Sequence, residues 1–292
     1  MALPVKFGVS TWLWTSPFTN ESIDPLFSKI AEMGFDAVEI AVEDPALFDA
    51  KKVKKGLDKF SLSAVVCGAF GPSRDLTNKD SSVHENTFRY LESCLELCIE
   101  WDTKFVAGPM YAAVGKARLL PPEQRKAEWN LAVKNLRKVC EMAATKQLYI
   151  ALEPLNRFES DLVNTTSDVV RLINDIDHPA AKIMLDGFHM NIEEADIENA
   201  IRQAGDNLLH MQVSENFRGT PGTGQSNWGA YAKGLEAINY NGIVSIESFT
   251  TDNKELAGAV CFWTPKAESQ DKMAVDGLRF LKQLLVAGAG SR

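Results

Sequence analysis

Eight short apolar runs alternate with longer amphipathic segments from one end of this chain to the other, and few architectures absorb that pattern. The runs are KFGVSTW, DAVEIAVE, SLSAVVCGA, KFVAGPM, LYIALEP, KIMLDGF, LLHMQVS and GIVSIESF. Their near-continuous hydrophobicity marks strands buried on both faces, as in a parallel sheet covered by helices. The segments between them have helical spacing. In ESIDPLFSKIAEMG, residues Ile23, Leu26, Phe27, Ile30 and Met33 fall on one face. Further helices are predicted near residues 48–60, 81–101, 122–146, 165–177, 193–205, 227–239 and 268–287. Pro122 suits a first helical turn, and Thr166 and Ser167 before Asp168 read as an N-terminal cap.

Eight strand–helix units without a composition break or linker predict the α/β class. They fit a single (β/α)8 TIM barrel spanning residues 1–292 as one domain. A doubly wound open sheet is the rival. It would show a glycine-rich phosphate turn after an early strand, and VSTWLWTS carries none. The barrel also predicts where chemistry sits, because its βα loops gather at the C-terminal mouth.

Three acids stand at the ends of these runs: Glu153 in LYIALEP, Asp186 in KIMLDGFH and Glu247 in IVSIESF. A lone carboxylate there is costly to desolvate, and three converging ones call for a cation among them. Separate ion pairs with Lys or Arg are the plainer reading, but the only basic residue on these strands is Lys182, at the start of its own. On strand seven, period-two alternation places His210, Gln212 and Ser214 on one face and Leu209, Met211 and Val213 on the other. The polar face lines the barrel, so Gln212 reaches the depth of the three acids while His210 lies one layer deeper. Imidazole is the better ligand for a borderline metal, but Gln212, through its amide oxygen, has the better reach. His210 then reads as a hydrogen-bonded core histidine. An oxygen-dominated set suggests Mn²⁺, with Co²⁺ or Mg²⁺ as alternatives, rather than structural zinc.

The loops add Glu159 after PLNRF, His189 in DGFH and Arg218 in SENFRGTPGTGQ. Their bland readings are a surface Glu159–Arg218 pair and a surface histidine. Trp12, Trp14 and Phe18 offer aromatic area near the same mouth, and specificity is expected from loops around Trp14, Phe70, Tyr111 and Phe217.

Composition narrows the function classes. A net charge of −8 without a dense Lys/Arg cluster argues against a nucleic-acid surface. No apolar stretch approaches the roughly 20 residues that span a bilayer. Five scattered cysteines lack a disulfide framework, and Cys94 and Cys98 share a helix face that suits packing. With a strand beginning almost at the N-terminus, these features predict a cytoplasmic protein with neither nucleic-acid nor membrane partners.

ALEPLNRFE, MLDGFHMNIEE, SENFRGTPGTG and VSIESF, in that order on strands five to eight, resemble the D-tagatose/D-allulose (psicose) 3-epimerases of the xylose isomerase-like superfamily. The likeness runs over nearly the whole chain. It implies Glu153, Asp186 and Glu247 as metal ligands, with Glu153 and Glu247 doubling as the acid/base pair. It implies Glu159, His189 and Arg218 as substrate-binding residues, a free ketohexose or ketopentose as substrate, and a homodimer or homotetramer. The family's usual ligand on strand seven is a histidine, and this chain has Gln212 there. The expected reaction is C3 deprotonation and reprotonation through an enediolate. A related aldose–ketose isomerisation, or β-elimination from a 3-oxo-glycoside, would use the same metal and glutamates. A catalytically silent sugar-binding barrel would lack one of the two glutamates. A metal-dependent endonuclease would need more than the four histidines present (His84, His178, His189, His210) and a basic groove.

Overall fold

The computed structural model describes residues 2–286, a closed barrel of eight parallel strands in sequence order, β1 pairing with β8. Residue 1 and residues 287–292, included in the one-domain reading, lie outside the described residues, as does the last residue of the helix predicted to reach 287. The strands are β1 (Lys6–Ser10), β2 (Ala37–Val42), β3 (Ser63–Gly68), β4 (Phe105–Gly108), β5 (Tyr149–Leu152), β6 (Ala181–Asp186), β7 (Leu208–Val213) and β8 (Ile243–Ile246). Seven fall within one of the eight apolar runs, and β6 begins one residue before its run, at Ala181. β2 is buried along its whole length, as a strand packed on both faces must be.

The helices form the outer layer: α1 (Ile23–Glu32), α2 (Ala50–Phe60), α3 (Ser81–Glu100), α4 (Pro122–Thr145), α5 (Thr166–Ile176), α6 (Gly187–Glu193), α7 (Ile197–Ala204), α8 (Trp228–Ala237), α9 (Lys254–Ala259) and α10 (Gln270–Leu285). On α1, Ile23, Leu26, Phe27 and Ile30 are buried, and side chains of this size contribute roughly 1.5–3 kcal/mol each when fully buried. Cys94 and Cys98 are buried on α3 as the spacing predicted. The cap of α5 is one residue earlier than expected. Thr165 accepts from the Asp168 amide and Asp168 answers by accepting from Thr165, a capping box. The helix predicted over 193–205 is α7 alone, preceded by the short α6, which begins directly at the end of β6. The sequence reading did not anticipate α9, a six-residue helix between β8 and α10.

Closure of the barrel depends on a close approach at Gly8. A Cβ there would lie 2.5 Å from Ser245 Oγ and 3.0 Å from the Ile243 side chain. In the ladder Asp186 is directly opposite Gln212, and Gln212 is opposite Ser245. Glu247 therefore stands two residues further along β8 than the Gln212 partner, just beyond the strand. Its amide is tied to Val213 O, as the Glu153 amide is to Gly108 O, so both acids remain on ordered backbone. No helix among the described residues is long and apolar enough to cross a membrane.

Candidate active site

The barrel mouth gathers every acid singled out above. Asp186 is fully buried, Glu153 and Glu247 nearly so, and Gln212 lies beside them. They form one connected polar network. Gln212 Nε2 donates to Glu247 Oε1 at 3.0 Å and, on its other side, to Glu39 Oε1. Arg218 Nη1 donates to Asp186 Oδ2 at 2.7 Å and to Glu247 Oε2 at 2.8 Å. His189 Nε2 stands 3.6 Å from Glu153 Oε1 and 3.6 Å from Asp186 Oδ2.

The sequence readings fare differently. Arg218 is not half of a surface pair with Glu159: its guanidinium is buried and stacks 4.1 Å from the centroid of the Phe188 ring. It is the basic partner that the acids lack on their own strands, brought in by a loop. Glu159 instead accepts from Asn156 Nδ2 at 2.8 Å and lines the cavity above. His189 is buried rather than exposed. His210 is the hydrogen-bonded core histidine expected, bonded to Glu39. Glu39 itself was missed. Trp12 lines the cavity, but Trp14 turns to Asp271, and Phe18 stacks on Phe27 in the core. Of the four residues expected to shape specificity, Phe70 reaches the cavity. Tyr111 is buried against Val163 O, and neither Trp14 nor Phe217 lines the cavity.

Burial and mutual repulsion set the electrostatics. Desolvation, then Glu247 and Asp186, push the Glu153 carboxyl well above its ordinary range. Desolvation also raises Glu247, to about 8, with Arg218 opposing and Asp186 and Glu39 adding to the rise. Burial lowers His189, favouring neutral imidazole. Its Nδ1 accepts from the Asn156 backbone amide at 3.1 Å and lies 2.8 Å from Asn156 Nδ2. The ring proton must then be on Nε2, which faces Glu153 and Asp186 as a donor. Glu153, Asp186 and His189 lie close enough together to hold a cation. The tautomer forced by Asn156 makes the histidine a donor to oxygen and leaves metal binding to the carboxylates.

Gln212 tests the fit of a metal. Both of its N–H groups are spent on carboxylates, so its Oε1 must be the remaining atom, and among the described residues that oxygen is buried without a hydrogen-bond partner. A buried acceptor without a partner costs roughly 1–3 kcal/mol. Beside three buried carboxylates, it is the donor type that a hard divalent cation takes. Glu153, Asp186, Gln212 and Glu247 thus fit such an ion.

Above the acids lies a cavity of about 410 Å³. Trp12, Phe70, Phe188 and Phe249 give it apolar walls, and Leu256 of α9 closes one side. Phe249, Leu256, Ala257 and Phe262 pack as a small separate core that holds α9 over the mouth.

The xylose isomerase-like TIM barrel family pattern matches residues 27–284. A probable ketose 3-epimerase of Synechocystis is 33% identical over 96% of both chains. The crystal structure of a D-allulose 3-epimerase from Methylomonas, in complex with D-allulose, superposes with a TM-score of 0.89 at 26% identity, covering 97% of this chain and 99% of that one. A 3-dehydro-D-guloside 4-epimerase of Escherichia coli is 31% identical over 79% of this chain and 88% of its own. The chain belongs to the xylose isomerase-like TIM barrel family and, within it, to the ketose 3-epimerases.

Proposed function

We propose that this chain, an enzyme of the isomerase class by family, inverts C3 of a free ketohexose or ketopentose. The supporting observation is the pair of buried glutamates just past the ends of β5 and β8, Glu153 facing His189 and Glu247 paired with Arg218. A proton on the carbon beside a ketone leaves with difficulty because the product carries negative charge on oxygen. Glu153 and Glu247 both have raised proton affinity, which brings them closer to that task than ordinary carboxylates. One takes the C3 proton from one face, and the other returns a proton to the opposite face of the enediolate. Bound by Glu153, Asp186, Gln212 and Glu247, a divalent cation such as Mn²⁺, Co²⁺ or Mg²⁺ would supply Lewis-acid stabilisation of the developing charge.

The remaining residues bind and orient. His189, a neutral donor through Nε2, offers a hydrogen bond to a sugar oxygen. Arg218 neutralises Asp186 and Glu247 and presents its guanidinium at the cavity floor. Glu159 provides an acceptor at the rim. Aromatic walls suit the apolar face of a sugar and exclude water from the proton transfer.

A second reading keeps the first step and changes the substrate. The likeness to the Escherichia coli 4-epimerase, named for a 3-dehydro-glycoside, makes oxidised glycosides worth including as substrates. Incubation of the manganese-loaded enzyme with free ketoses in D₂O separates the readings. Deuterium at C3 of both epimers is expected. Deuterium only at C1, with an aldose forming, would indicate isomerisation. No exchange with any ketose, but reaction of a 3-oxo-glycoside, would overturn the proposal in favour of the second reading.

A further inference from the structure

Gln212 poses a problem that a histidine in its place would not. A carboxamide has one end that can bind a cation and one that cannot, and the two ends have nearly the same shape. If the amide turned over, an N–H group would face the ion. Something must hold it one way round.

Glu39 lies fully buried in the barrel interior, on β2. Its Oε1 accepts from Gln212 Nε2, and its Oε2 is bonded to His210 Nε2. The second N–H of Gln212 goes to Glu247. Both acceptors are carboxyl groups, and a carboxyl group that has given up its proton only accepts, so each one in that form fixes the nitrogen end of the amide toward itself. Glu247 belongs to the proposed ligand set, however, and its oxygens are also claimed by Arg218. Glu39 lies beneath that set, and among the described residues its side-chain hydrogen-bond partners are two residues of β7.

We infer that Glu39 is a positioning residue that holds the Gln212 amide with its oxygen available to the metal, and that His210 keeps Glu39 in place. This inference rests on the metal site proposed above. It accounts for a carboxylate in the middle of an otherwise apolar strand, and for the hydrogen bond that anchors His210. Partners of this kind behind a metal ligand, when removed, typically reduce metal affinity by about 10–100-fold.

The alternative is that Glu39 acts only as one more negative charge near the ion. Titration of the metal-free protein with Mn²⁺ alone, followed by calorimetry, distinguishes the two. Glu39→Gln can face Gln212 with either end of its own amide and so releases the orientation; a loss of roughly 10–100-fold in Mn²⁺ affinity is expected. In a Gln212→Glu background there is no amide to orient. There Glu39→Gln should change Mn²⁺ affinity little. A large loss in the first background and little change in the second supports positioning. Equal loss in both overturns it in favour of charge alone, and no change in the first overturns it outright.

Glu39→Asp guards against a misfolded Glu39→Gln protein, with circular dichroism checking the fold. It keeps the charge but withdraws the carboxylate by one methylene, so positioning predicts a loss of affinity and charge alone predicts none. Failure of the underlying metal site is distinguishable, because the unsubstituted protein would then take up no Mn²⁺. Mn²⁺ uptake by that protein with unchanged affinity in Glu39→Asp and Glu39→Gln would overturn the role of Glu39 and leave the site standing.

Discussion

Arg218 donates to Asp186 across 2.7 Å, from a loop residue to a strand-end residue 32 positions earlier in the chain, and both are buried. The same nitrogen reaches Glu247. Burial works against the guanidinium charge, but Asp186 and Glu247 outweigh it and hold Arg218 more firmly protonated than usual. This arginine is thus the cation that lets three acids share one site in the absence of metal.

Arg218→Gln should therefore destabilise the metal-free protein strongly. Removing one member of a buried charge network costs about 3–5 kcal/mol, because the remaining charges are left without compensation. Thermal unfolding in a chelator should show a large fall in Tm. Saturating Mn²⁺ should recover much of it, since a divalent ion neutralises the same carboxylates. A variant with unchanged Tm in chelator would show that Arg218 does not carry this balance.

The raised acids give the metal-free protein a definite pH dependence. Glu153 and Glu247 bind protons more tightly when folded than when unfolded, from the ordinary value of 4.5 up to about 8 for Glu247. Between those limits the folded state holds more protons, so stability falls as pH rises through the window. The Glu247 contribution is intact below about 4.5 and lost above about 8, each pH unit within the window costing about 1.4 kcal/mol for a fully displaced group, and Glu153 acts in the same direction. Denaturant unfolding in chelator at pH 6 and pH 8 should show lower stability at pH 8. Metal favours the deprotonated acids, so Mn²⁺ should flatten or reverse the slope.

The barrel was legible because its signal is repeated. Eight apolar runs with helical segments between them leave little choice of topology, and the strand ends then locate Glu153, Asp186 and Glu247. Period two placed Gln212 and His210 correctly on β7. Glu39 carries the same kind of signal, an acid in an apolar run with Ala37 and Ala41 on its face. It lies mid-strand, however, and attention to strand ends passed over it. The Arg218 pairings were out of reach for a different reason. They depend on how the 14-residue loop between β7 and α8 returns over the mouth, and that path is set by Glu215, which accepts from Gly222 N, Ser226 N and Trp228 Nε1. Trp14 and Phe217 failed as cavity residues for the same reason: spacing does not fix the direction of a loop side chain.

That hub supports a prediction of its own. Glu215→Ala removes the common acceptor of these donors and should let the loop carrying Arg218 loosen while the barrel stays folded. Epimerase kinetics should show KM rising more than kcat falls, with Mn²⁺ affinity changed little. A collapse of kcat at constant KM would instead place Glu215 in the chemistry.

Gln212→His should tighten Mn²⁺ binding, since imidazole donates more electron density than an amide and needs no fixed choice between oxygen and nitrogen. The Glu39 and Glu247 carboxylates are both placed to accept a ring N–H in its stead. Calorimetric titration checks this, and unchanged or weaker affinity would remove Gln212 from the ligand set.

The two glutamates can be separated by what each variant still does. In a two-face mechanism each base serves one epimer: it removes the C3 proton from that epimer and returns one when that epimer forms. Glu153→Gln and Glu247→Gln should each abolish net epimerisation, by about 10²–10⁴-fold per lost group. Each should retain slow deuterium exchange at C3, but with opposite epimers, because the surviving glutamate can still take and return a proton on its own face. Both are proposed metal ligands, so Mn²⁺ content must be measured with the rates and exchange followed only in loaded protein. Mass spectrometry of the recovered sugars reads the result directly. Exchange of the same epimer by both variants would show that Glu153 and Glu247 serve one face, and inversion at C3 would then need a different proton carrier.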